Sequence, residues 1–226
     1  MIKTPLKPPT RRELDAAVSR QKILDAAEAA FADRGYTAAT IRDITCSANV
    51  PLGLVNHHFG SKEELFREVI TRRATIHVDE MMQALDEALR KDGGDLRVED
   101  LIVAYLAPLI MRSASGDPGW KNYSRLLGLA LNNHHYHAFM EPVIAFYDPV
   151  YKKFSGALRR LYPNTSAERL YLAIYFLQSS LMHTLVEAGM LDRQSEGTLK
   201  SNDVMTIFLE MVPFFAFAFE GRLGSC

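Results

Sequence analysis

Residues 40–62, with the sequence TIRDITCSANVPLGLVNHHFGSK, decide the fold of this chain. The spacing of apolar residues and a threonine N-cap at Thr40 predict a short helix over residues 41–47. A tight turn is expected next, because Asn49 is of a residue type that adopts left-handed backbone more readily than most. Pro51 suits the first position of a second short helix, where its missing N–H costs nothing. The stretch therefore predicts two short helices joined by a tight turn.

Helical patterns flank this stretch on both sides. Before it, from about Ala16, apolar residues recur on one face of a helix that we expect to end near Gly35. After it, Ser61 and Glu64 stand in capping-box order at the start of a long amphipathic helix that reaches the KDGGD break at 91–95. A helix followed by two short helices and a tight turn is the layout of a helix-turn-helix, whose second helix enters the DNA major groove.

The rest of the chain also predicts helices. They are expected at about 97–113, 119–132, 136–162, 166–188 and 202–220. No run shows the period-2 alternation of a strand, so we predict an all-α protein. We place a helix-turn-helix domain at residues 16–62 and a helical bundle at residues 63–226. Residues 1–15, rich in proline and basic side chains at their start, are predicted to form a basic flexible arm.

Composition sets broad limits on the function. The 226 residues are 48% hydrophobic and carry a net charge of −1, as is usual for a globular protein. Two cysteines, Cys46 and Cys226, are too few for a disulfide framework or a zinc site, and we expect reduced thiols, with Cys46 in the core. The N-terminus lacks the apolar core of a signal peptide. Apolar runs such as 211–219 fall short of the ~20 residues of a membrane span, so we predict a cytoplasmic protein without a membrane partner.

The segment from about Arg20 to Leu65 resembles the DNA-binding domain of the TetR family of bacterial transcriptional regulators. The matching positions combine apolar core residues with turn and cap residues. They are Ile23, Leu24, Ala26, Ala27, Phe31, Gly35, Thr40, Ile44, Ala48, Val50, Gly53, His58, Phe59, Lys62 and Glu63. The resemblance implies a three-helix domain that works as a homodimer on a near-palindromic operator of double-stranded DNA.

The resemblance also implies roles for individual residues. Arg42 matches a position that reaches a base edge, where its planar fork can bond two acceptors of guanine. Thr40 matches a phosphate contact, and His58 and Lys62 match anchors to the DNA backbone. The full predicted DNA-binding set is Thr40, Arg42, Pro51, Leu52, Gly53, Asn56, His57, His58 and Lys62. The alternative for these side chains is an ordinary solvated surface.

Three positions depart from the family pattern. Asn49, Pro51 and Asn56 stand where the family usually has Gly, a Ser or Thr cap, and Tyr. Asn56 can still donate to a phosphate or pair with adenine, and the apolar neighbours of the second short helix can contact thymine methyl groups. The departures therefore leave the operator sequence open, but not DNA binding itself.

The C-terminal part resembles the family's effector-binding and dimerisation domain less specifically. Residues 119–128 and 211–219 are similar to a subgroup that includes fatty-acid-responsive members. The family forms its dimer from the last two helices, which here implies Leu170, Ile174, Leu177, Leu181, Leu185, Phe208, Met211 and Phe215. An apolar pocket for a lipophilic small-molecule effector is expected among Trp120, Tyr123, Leu126, Leu127, Tyr147, Phe154, Tyr175, Gln178, Met182 and His183. Each of these also fits plain core.

Other chemistry finds little support in the sequence. The run of residues 132–137, NNHHYH, invites a metal hypothesis, but a polar helix cap or turn explains it better, so we predict no metal site. No motif of an enzyme or nucleotide site occurs, and we expect no cofactor and no enzymatic activity. We predict a ligand-responsive repressor. The alternative is a lipophilic small-molecule-binding protein or enzyme that retains a vestigial helix-turn-helix.

Overall fold

A computed structural model describes residues 10–90, 96–131, 137–187 and 189–224. In these ranges the chain forms helices and their connections without a strand, which confirms the all-α prediction. The helices are α1 (Arg11–Ala38), α2 (Ile41–Ala48), α3 (Gly53–Phe59), α4 (Lys62–Leu89), α5 (Val98–Ala114), α6 (Pro118–Leu131), α7 (His137–Ile144), α8 (Asp148–Leu161), α9 (Ala167–Val186), α10 (Met190–Gln194) and α11 (Val204–Leu223). A 3₁₀ turn at Ala145–Tyr147 joins α7 to α8.

Helix α1 begins earlier than the sequence pattern predicts. The Thr10 hydroxyl caps it by accepting from the Glu13 amide at 3.4 Å, and the Glu13 carboxylate accepts from the Thr10 amide at 2.6 Å. This reciprocal pair satisfies two backbone donors, so helix starts at Arg11 inside the predicted flexible arm. The rest of that arm, residues 1–9, lies outside the described residues. Gly35, with φ 75°, interrupts α1 where the sequence predicts its end.

The chain divides into two compact units, Met1–Val69 and Ile70–Cys226. The division falls seven residues beyond the predicted boundary at residue 62, and α4 therefore has residues in both units. The first unit has an apolar core that includes Ile23, Leu24, Ala27, Phe31, Ile44, Val55, Phe59, Leu65 and Phe66. Within it, the rings of Phe31 and Phe66 meet edge to face at 5.0 Å between centroids. This core fixes the three N-terminal helices and the start of α4.

The second unit packs its helices around α5. The largest fully buried side chains of α5 include Leu101, Ile102 and Leu106, and α11 and α8 pack against this helix. The ring of Tyr105 on α5 stacks on Phe154 of α8 at 4.3 Å between centroids. An apolar helix at the centre, covered by its neighbours, is the usual solution for a helical bundle.

One predicted helix, residues 136–162, is interrupted in the structure. It consists of α7, the 3₁₀ turn and α8, whose first turn contains Pro149. Pro149 has no N–H to continue the hydrogen bonding of the preceding helix, so a new helix starts there. A further difference is the short helix α10, which lies in the segment 189–200 that the sequence predicts to be a break.

Helices α6 and α9 approach each other closely at Gly128. A Cβ at this position would lie 2.6 Å from Val186 Cγ1 and 3.2 Å from the carbonyl oxygen of Met182. We expect Gly128→Ala to lower the free energy of unfolding by about 1–3 kcal/mol, the usual cost of overpacking a core. Urea titration followed by circular dichroism measures it.

Gly156→Ala in α8 is the matched control, because nothing lies within 4 Å of a Cβ there. Alanine favours helix over glycine by up to about 1 kcal/mol, so this variant should be at least as stable as the native chain. Equal stability of the two variants would contradict the close approach at Gly128.

Candidate nucleic-acid interface and internal cavity

Helix α2 is fixed at its start by a capping box. The Thr40 hydroxyl accepts from the Asp43 amide at 3.1 Å and donates to the Asp43 carboxylate at 2.7 Å. Arg34 also donates to that carboxylate at 3.0 Å. These bonds, those from Thr40 foremost, lower the pKa of Asp43. Thr40 is exposed, as a phosphate contact requires, but its one O–H is already engaged, so a phosphate would compete with Asp43 for it.

The turn after α2 has the predicted left-handed residue. Asn49 has φ 52° and ψ 52°, and its amide bonds the carbonyl of Cys46 at 3.2 Å. Pro51, however, is not the first residue of the next helix. The Leu54 amide bonds the Pro51 carbonyl at 3.0 Å in an i→i+3 turn, and regular helix begins only at Gly53. The short α3 is therefore entered through a tighter turn.

Helix α3 separates buried from exposed residues sharply. Val55 and Phe59 are buried and attach the helix to the first unit. The predicted DNA-contacting residues Pro51, Leu52, Gly53, Asn56 and His57 are all exposed, and Leu52 is 57% exposed. We call this exposed set the α3 surface. Their side chains are therefore open to contact from outside the first unit.

His58, the other predicted histidine, is half-buried rather than exposed. Its ring lies edge-on to Phe59 at 6.0 Å between centroids. Burial, followed by the nearby His57 and Arg20, lowers the pKa of His58. His58 therefore supports α3 from the side, and a neutral ring at this place donates less strongly to a phosphate than an imidazolium does.

Two basic residues flank the α3 surface along the chain. Arg42 on α2 is exposed and makes no ion pair with the residues that the structure describes. The ammonium of Lys62, at the start of α4, lies 4.5 Å from the centroid of the Tyr36 ring and donates to the Thr37 carbonyl at 3.5 Å. Partial burial lowers the pKa of Lys62. The arrangement supplies one free guanidinium and one positioned ammonium.

The second unit contains a cavity of about 390 Å³. Its lining is mostly aliphatic and aromatic, with a few polar groups. The residues are His77, Met81, Tyr105, Leu109, Leu127, Leu131, Ile144, Tyr147, Tyr175, Gln178, Ser179, Leu181 and Met182. Such a size and lining are those of a site for a small lipophilic molecule.

Five of the predicted effector contacts line this cavity: Leu127, Tyr147, Tyr175, Gln178 and Met182. The other five, Trp120, Tyr123, Leu126, Phe154 and His183, do not. Trp120 is instead covered by the guanidinium groups of Arg73 and Arg112, at 5.1 and 4.9 Å from its centroid. Leu126 and Phe154 are core residues, and His183 is exposed.

The prediction missed His77, which is 3% exposed and lies on the apolar face of α4. Its Nδ1 lies 3.1 Å from the Tyr147 hydroxyl and 3.4 Å from the Tyr123 hydroxyl, and the two hydroxyls also bond each other. Burial lowers the pKa of His77 to about 4 and raises the pKa values of both tyrosines. The sequence contains a signal for the burial of His77, because position 77 lies three residues after Ala74 and four before Met81, on the same face of the helix.

A second polar pair lies in the same lining. Gln178 Nε2 donates to the Tyr105 hydroxyl at 2.7 Å, and burial raises the pKa of Tyr105 to about 12. Of the groups in the lining, His77, Tyr105 and Tyr147 thus have pKa values that burial shifts toward their neutral forms. The cavity offers hydrogen bonds but no charge.

Most of the predicted dimerisation residues lie in the core of the second unit. Leu170, Ile174, Leu177, Leu181, Phe208 and Phe215 are buried in the core of their own unit, and only Leu185 and Met211 keep partial exposure. Other residues of α9 and α11 are exposed instead. They are Tyr171, Leu172, Tyr175, Phe176, Leu209, Phe214 and Phe217, which we call the α9/α11 surface. The residues with heptad-like spacing thus form the inner stripe of these helices, and the α9/α11 surface is the outer one.

Helix α11 is longer than the predicted apolar run 211–219. It is 20 residues long, with a mean hydropathy of 1.6 over its most apolar window, so by length and composition it is able to cross a membrane. The predicted run 211–219 is short, but the apolar sequence continues on its N-terminal side. Only 28% of that window is buried. An apolar helix exposed to this degree needs a further cover.

Two smaller predictions concern metals and thiols. Of the histidine-rich run 132–137, all but His137 at the start of α7 lies outside the described residues, and among the described ones no three His, Cys, Asp or Glu residues group in a way that could hold a metal ion. Cys46, expected in the core, is an exposed free thiol on α2. Its exposure follows from its position on the outer face of that short helix.

These features define a helix-turn-helix protein whose second unit is helical and contains an apolar cavity that is partly open to solvent. The chain belongs to the TetR family. Residues 23–69 match the domain described as "Bacterial regulatory proteins, tetR family", and residues 103–217 match the "Tetracyclin repressor-like, C-terminal domain".

Curated relatives are similar to the N-terminal region. The HTH-type transcriptional repressor KstR2 of Mycolicibacterium smegmatis is 42% identical over 67 residues, which cover 30% of this chain and 29% of that protein. The repressor AcnR of Corynebacterium glutamicum is 37% identical over 90 residues, 36% of this chain and 48% of that protein. The similarity thus spans less than half of the length of these relatives.

Solved structures share the fold over nearly the whole chain. The fatty acid degradation regulator FadR from Bacillus halodurans superposes with a TM-score of 0.64 at 16% identity, covering 87% of this chain and 97% of that one. FadR from Bacillus subtilis, in complex with stearoyl-CoA, gives 0.61 at 15% identity with the same coverage. At these identities the comparison establishes the fold.

The buried His77 predicts a pH dependence of stability. The unfolded chain takes up a proton near pH 6.5, whereas the folded chain resists it down to about pH 4. Lowering the pH from 7 to 5 should therefore cost roughly 2 kcal/mol of stability through this residue, and the loss should not occur above pH 7. Denaturant unfolding at both pH values measures it.

His77→Gln should reduce the loss of stability between pH 7 and pH 5 by roughly 2 kcal/mol, since glutamine does not titrate. His183→Gln, at an exposed histidine of the same unit, is the control and should leave the pH dependence unchanged. An acid response in the His77 variant as steep as in the native chain would show that the imidazole is not buried as described.

Proposed function

We propose that this protein is a ligand-responsive transcriptional repressor that acts in the cytoplasm and binds a near-palindromic DNA operator as a homodimer. The observation that carries the proposal is the exposed α3 surface on a helix-turn-helix whose buried side is anchored by Val55 and Phe59. The curated relatives that match this region are named as repressors. A helix presented in this way is what major-groove binding requires.

On DNA, the proposed contacts divide into two kinds. Arg42 and Asn56 have the side chains that recognise guanine and adenine edges, and exposed Leu52 suits a thymine methyl group. Lys62 suits a phosphate, because its ammonium is held by Tyr36 and Thr37 rather than free in solvent. His57 adds a donor beside them. Phosphate contacts supply affinity and register, whereas base-edge contacts supply sequence preference.

The homodimer is proposed to form through the α9/α11 surface. Large apolar side chains on two adjacent helices lie in solvent there, with Phe217 80% exposed and Phe214 68% exposed. A contiguous patch of this kind is typical of an obligate interface. Two-fold pairing would give two α3 surfaces, which suits a near-palindromic site with half-sites about 34–36 Å apart.

The effector is proposed to be a lipophilic small molecule bound in the cavity of the second unit. The stearoyl-CoA bound to the Bacillus subtilis FadR shows that a protein of this fold accepts an acyl chain. Helix α4 carries both His77 in the cavity lining and Lys62 at its start. A ligand that displaces this helix changes the position of a phosphate contact, and a coupling of about 1–3 kcal/mol would alter operator affinity 5- to 150-fold.

The DNA contacts are tested on an operator selected from random duplex DNA. Lys62→Ala should weaken binding to all sequences about equally and lower the slope of log affinity against log salt by about 1. Arg42→Ala should instead cost about 1–3 kcal/mol at one base pair and flatten the preference there. Fluorescence anisotropy over a salt series, with single-base operator variants, measures both effects.

Lys152→Ala, an exposed lysine of α8, is the control for the loss of one positive charge. It should bind as the native chain does. Wild-type affinity and preference in both the Lys62 and Arg42 variants would refute the assigned contacts. Failure of the native chain to enrich any palindrome would favour a small-molecule-binding protein with a vestigial helix-turn-helix.

The dimer surface is tested by a charge substitution. Phe217→Glu places a carboxylate in the centre of the proposed interface, and we expect at least a 100-fold weaker dimer, since an unpaired buried charge costs several kcal/mol. Sedimentation equilibrium in detergent-free buffer measures the dissociation constant.

Ile76→Glu, on the exposed side of α4, adds the same charge outside this surface and should leave the dimer intact. A native chain that is monomeric, or that partitions into detergent micelles instead of pairing, would overturn the assignment of α11 to a protein interface.

A further inference from the structure

The lining of the 390 Å³ cavity has a polar atom without a partner. His77 is buried, and its Nε2 makes no hydrogen bond with any described residue. A buried ring nitrogen left unpaired is unfavourable, because it has lost its hydrogen bond to water and gained none in return. Because His77 also lines the cavity, a bound molecule is able to satisfy that nitrogen.

The neighbouring hydroxyls determine which tautomer His77 adopts. If Tyr123 donates to Tyr147 and Tyr147 donates to Nδ1, each hydroxyl hydrogen has an acceptor. If Nδ1 donated to Tyr147 instead, Tyr147 would donate to Tyr123, and the buried Tyr123 hydrogen would have no acceptor among its described contacts. The first arrangement is favoured because it leaves only Nε2 unpaired, whereas the second leaves a buried hydroxyl hydrogen unpaired as well. Nε2 then carries the hydrogen and is a donor.

The absence of charged side chains in the described lining also limits the chemical class of the ligand. Among the described residues that line the cavity there is no Lys, Arg, Asp or Glu. A carboxylate or phosphate moved from water into such surroundings without a cation loses its hydration and gains no ion pair in return. The lining thus disfavours a ligand whose charged group would lie inside the cavity, such as an ionised fatty acid with its carboxylate among these residues.

We propose that the effector is an uncharged lipophilic molecule with an oxygen acceptor, such as a ketone or an ester, and that this oxygen accepts a hydrogen bond from His77 Nε2–H. The inference relies on the proposed function only in treating this cavity as the effector site. The apolar body of the bound molecule lies against Met81, Leu109 and Leu127, while its oxygen faces His77 on α4.

Three probes of nearly equal shape test the proposal at pH 7.5. Decan-2-one offers a carbonyl oxygen, 2-methyl-1-decene replaces that oxygen by a methylene group, and nonanoate replaces the terminal methyl group by a negative oxygen. Headspace gas chromatography measures binding of the two volatile probes to the full-length protein, and equilibrium dialysis measures nonanoate. The native chain should bind the ketone more tightly than nonanoate, and its ratio of ketone affinity to alkene affinity should depend on His77.

Two variants connect this preference to His77. His77→Leu should lower the ratio of ketone affinity to alkene affinity by about 3- to 10-fold, the share of one neutral hydrogen bond. His77→Gln should retain most of the ratio, because its amide both accepts from Tyr147 and donates to the ligand. The ratio is the deciding quantity, since a change in cavity shape affects both probes alike.

Nonanoate binding at least as tight as ketone binding, a ketone that fails to bind the native chain, or an unchanged ratio in His77→Leu would each overturn the proposal. Operator binding is measured separately with the ketone present. If the native chain binds its operator but the ratio of ketone affinity to alkene affinity does not depend on His77, the proposed ligand class is refuted and the proposed repressor is not. Ketone preference through His77 in a protein that enriches no operator refutes the proposed repressor and leaves the ligand class standing.

Discussion

Helix α4 contributes buried side chains to both compact units. Leu65 and Phe66 belong to the core that holds the helix-turn-helix, and Met81 and Leu85 belong to the core of the second unit. The core of the second unit thus includes side chains of the same helix that begins with Lys62. The proposed link between cavity and DNA depends on this shared helix.

Much of the fold could be predicted because its signals are local. The capping box of Thr40 and Asp43, the left-handed Asn49 and the cap of Ser61 on the Glu64 amide all involve residues within a few positions of each other. Such contacts are encoded by residue type and spacing. The early start of α1 has the same kind of signal in Thr10 and Glu13, and the nearby prolines obscured it.

The candidate sites were harder to predict, because periodicity identifies an apolar stripe but not what covers it. The spacing of Leu170, Ile174 and Leu177 fits an interface between subunits as well as a core within one, and the structure shows them in the core. The cluster around His77 depends on residues 46 and 70 positions away along the chain. No local pattern contains that information, although a histidine within a buried stripe was a reason to examine it.

The surface of α11 shows why composition alone leaves two environments open. Its exposed phenylalanines, with Phe217 foremost, would suit either lipid or another protein. A helix that crosses a bilayer presents apolar residues on all sides, yet α11 buries Phe208, Phe215 and Phe219 against its own unit and carries Glu210 and Glu220 on exposed positions. A carboxylate near the middle of a span is costly, whereas at the rim of a dimer it stays hydrated. One covered face, one bare apolar face and flanking carboxylates therefore favour a second copy of this chain as the cover.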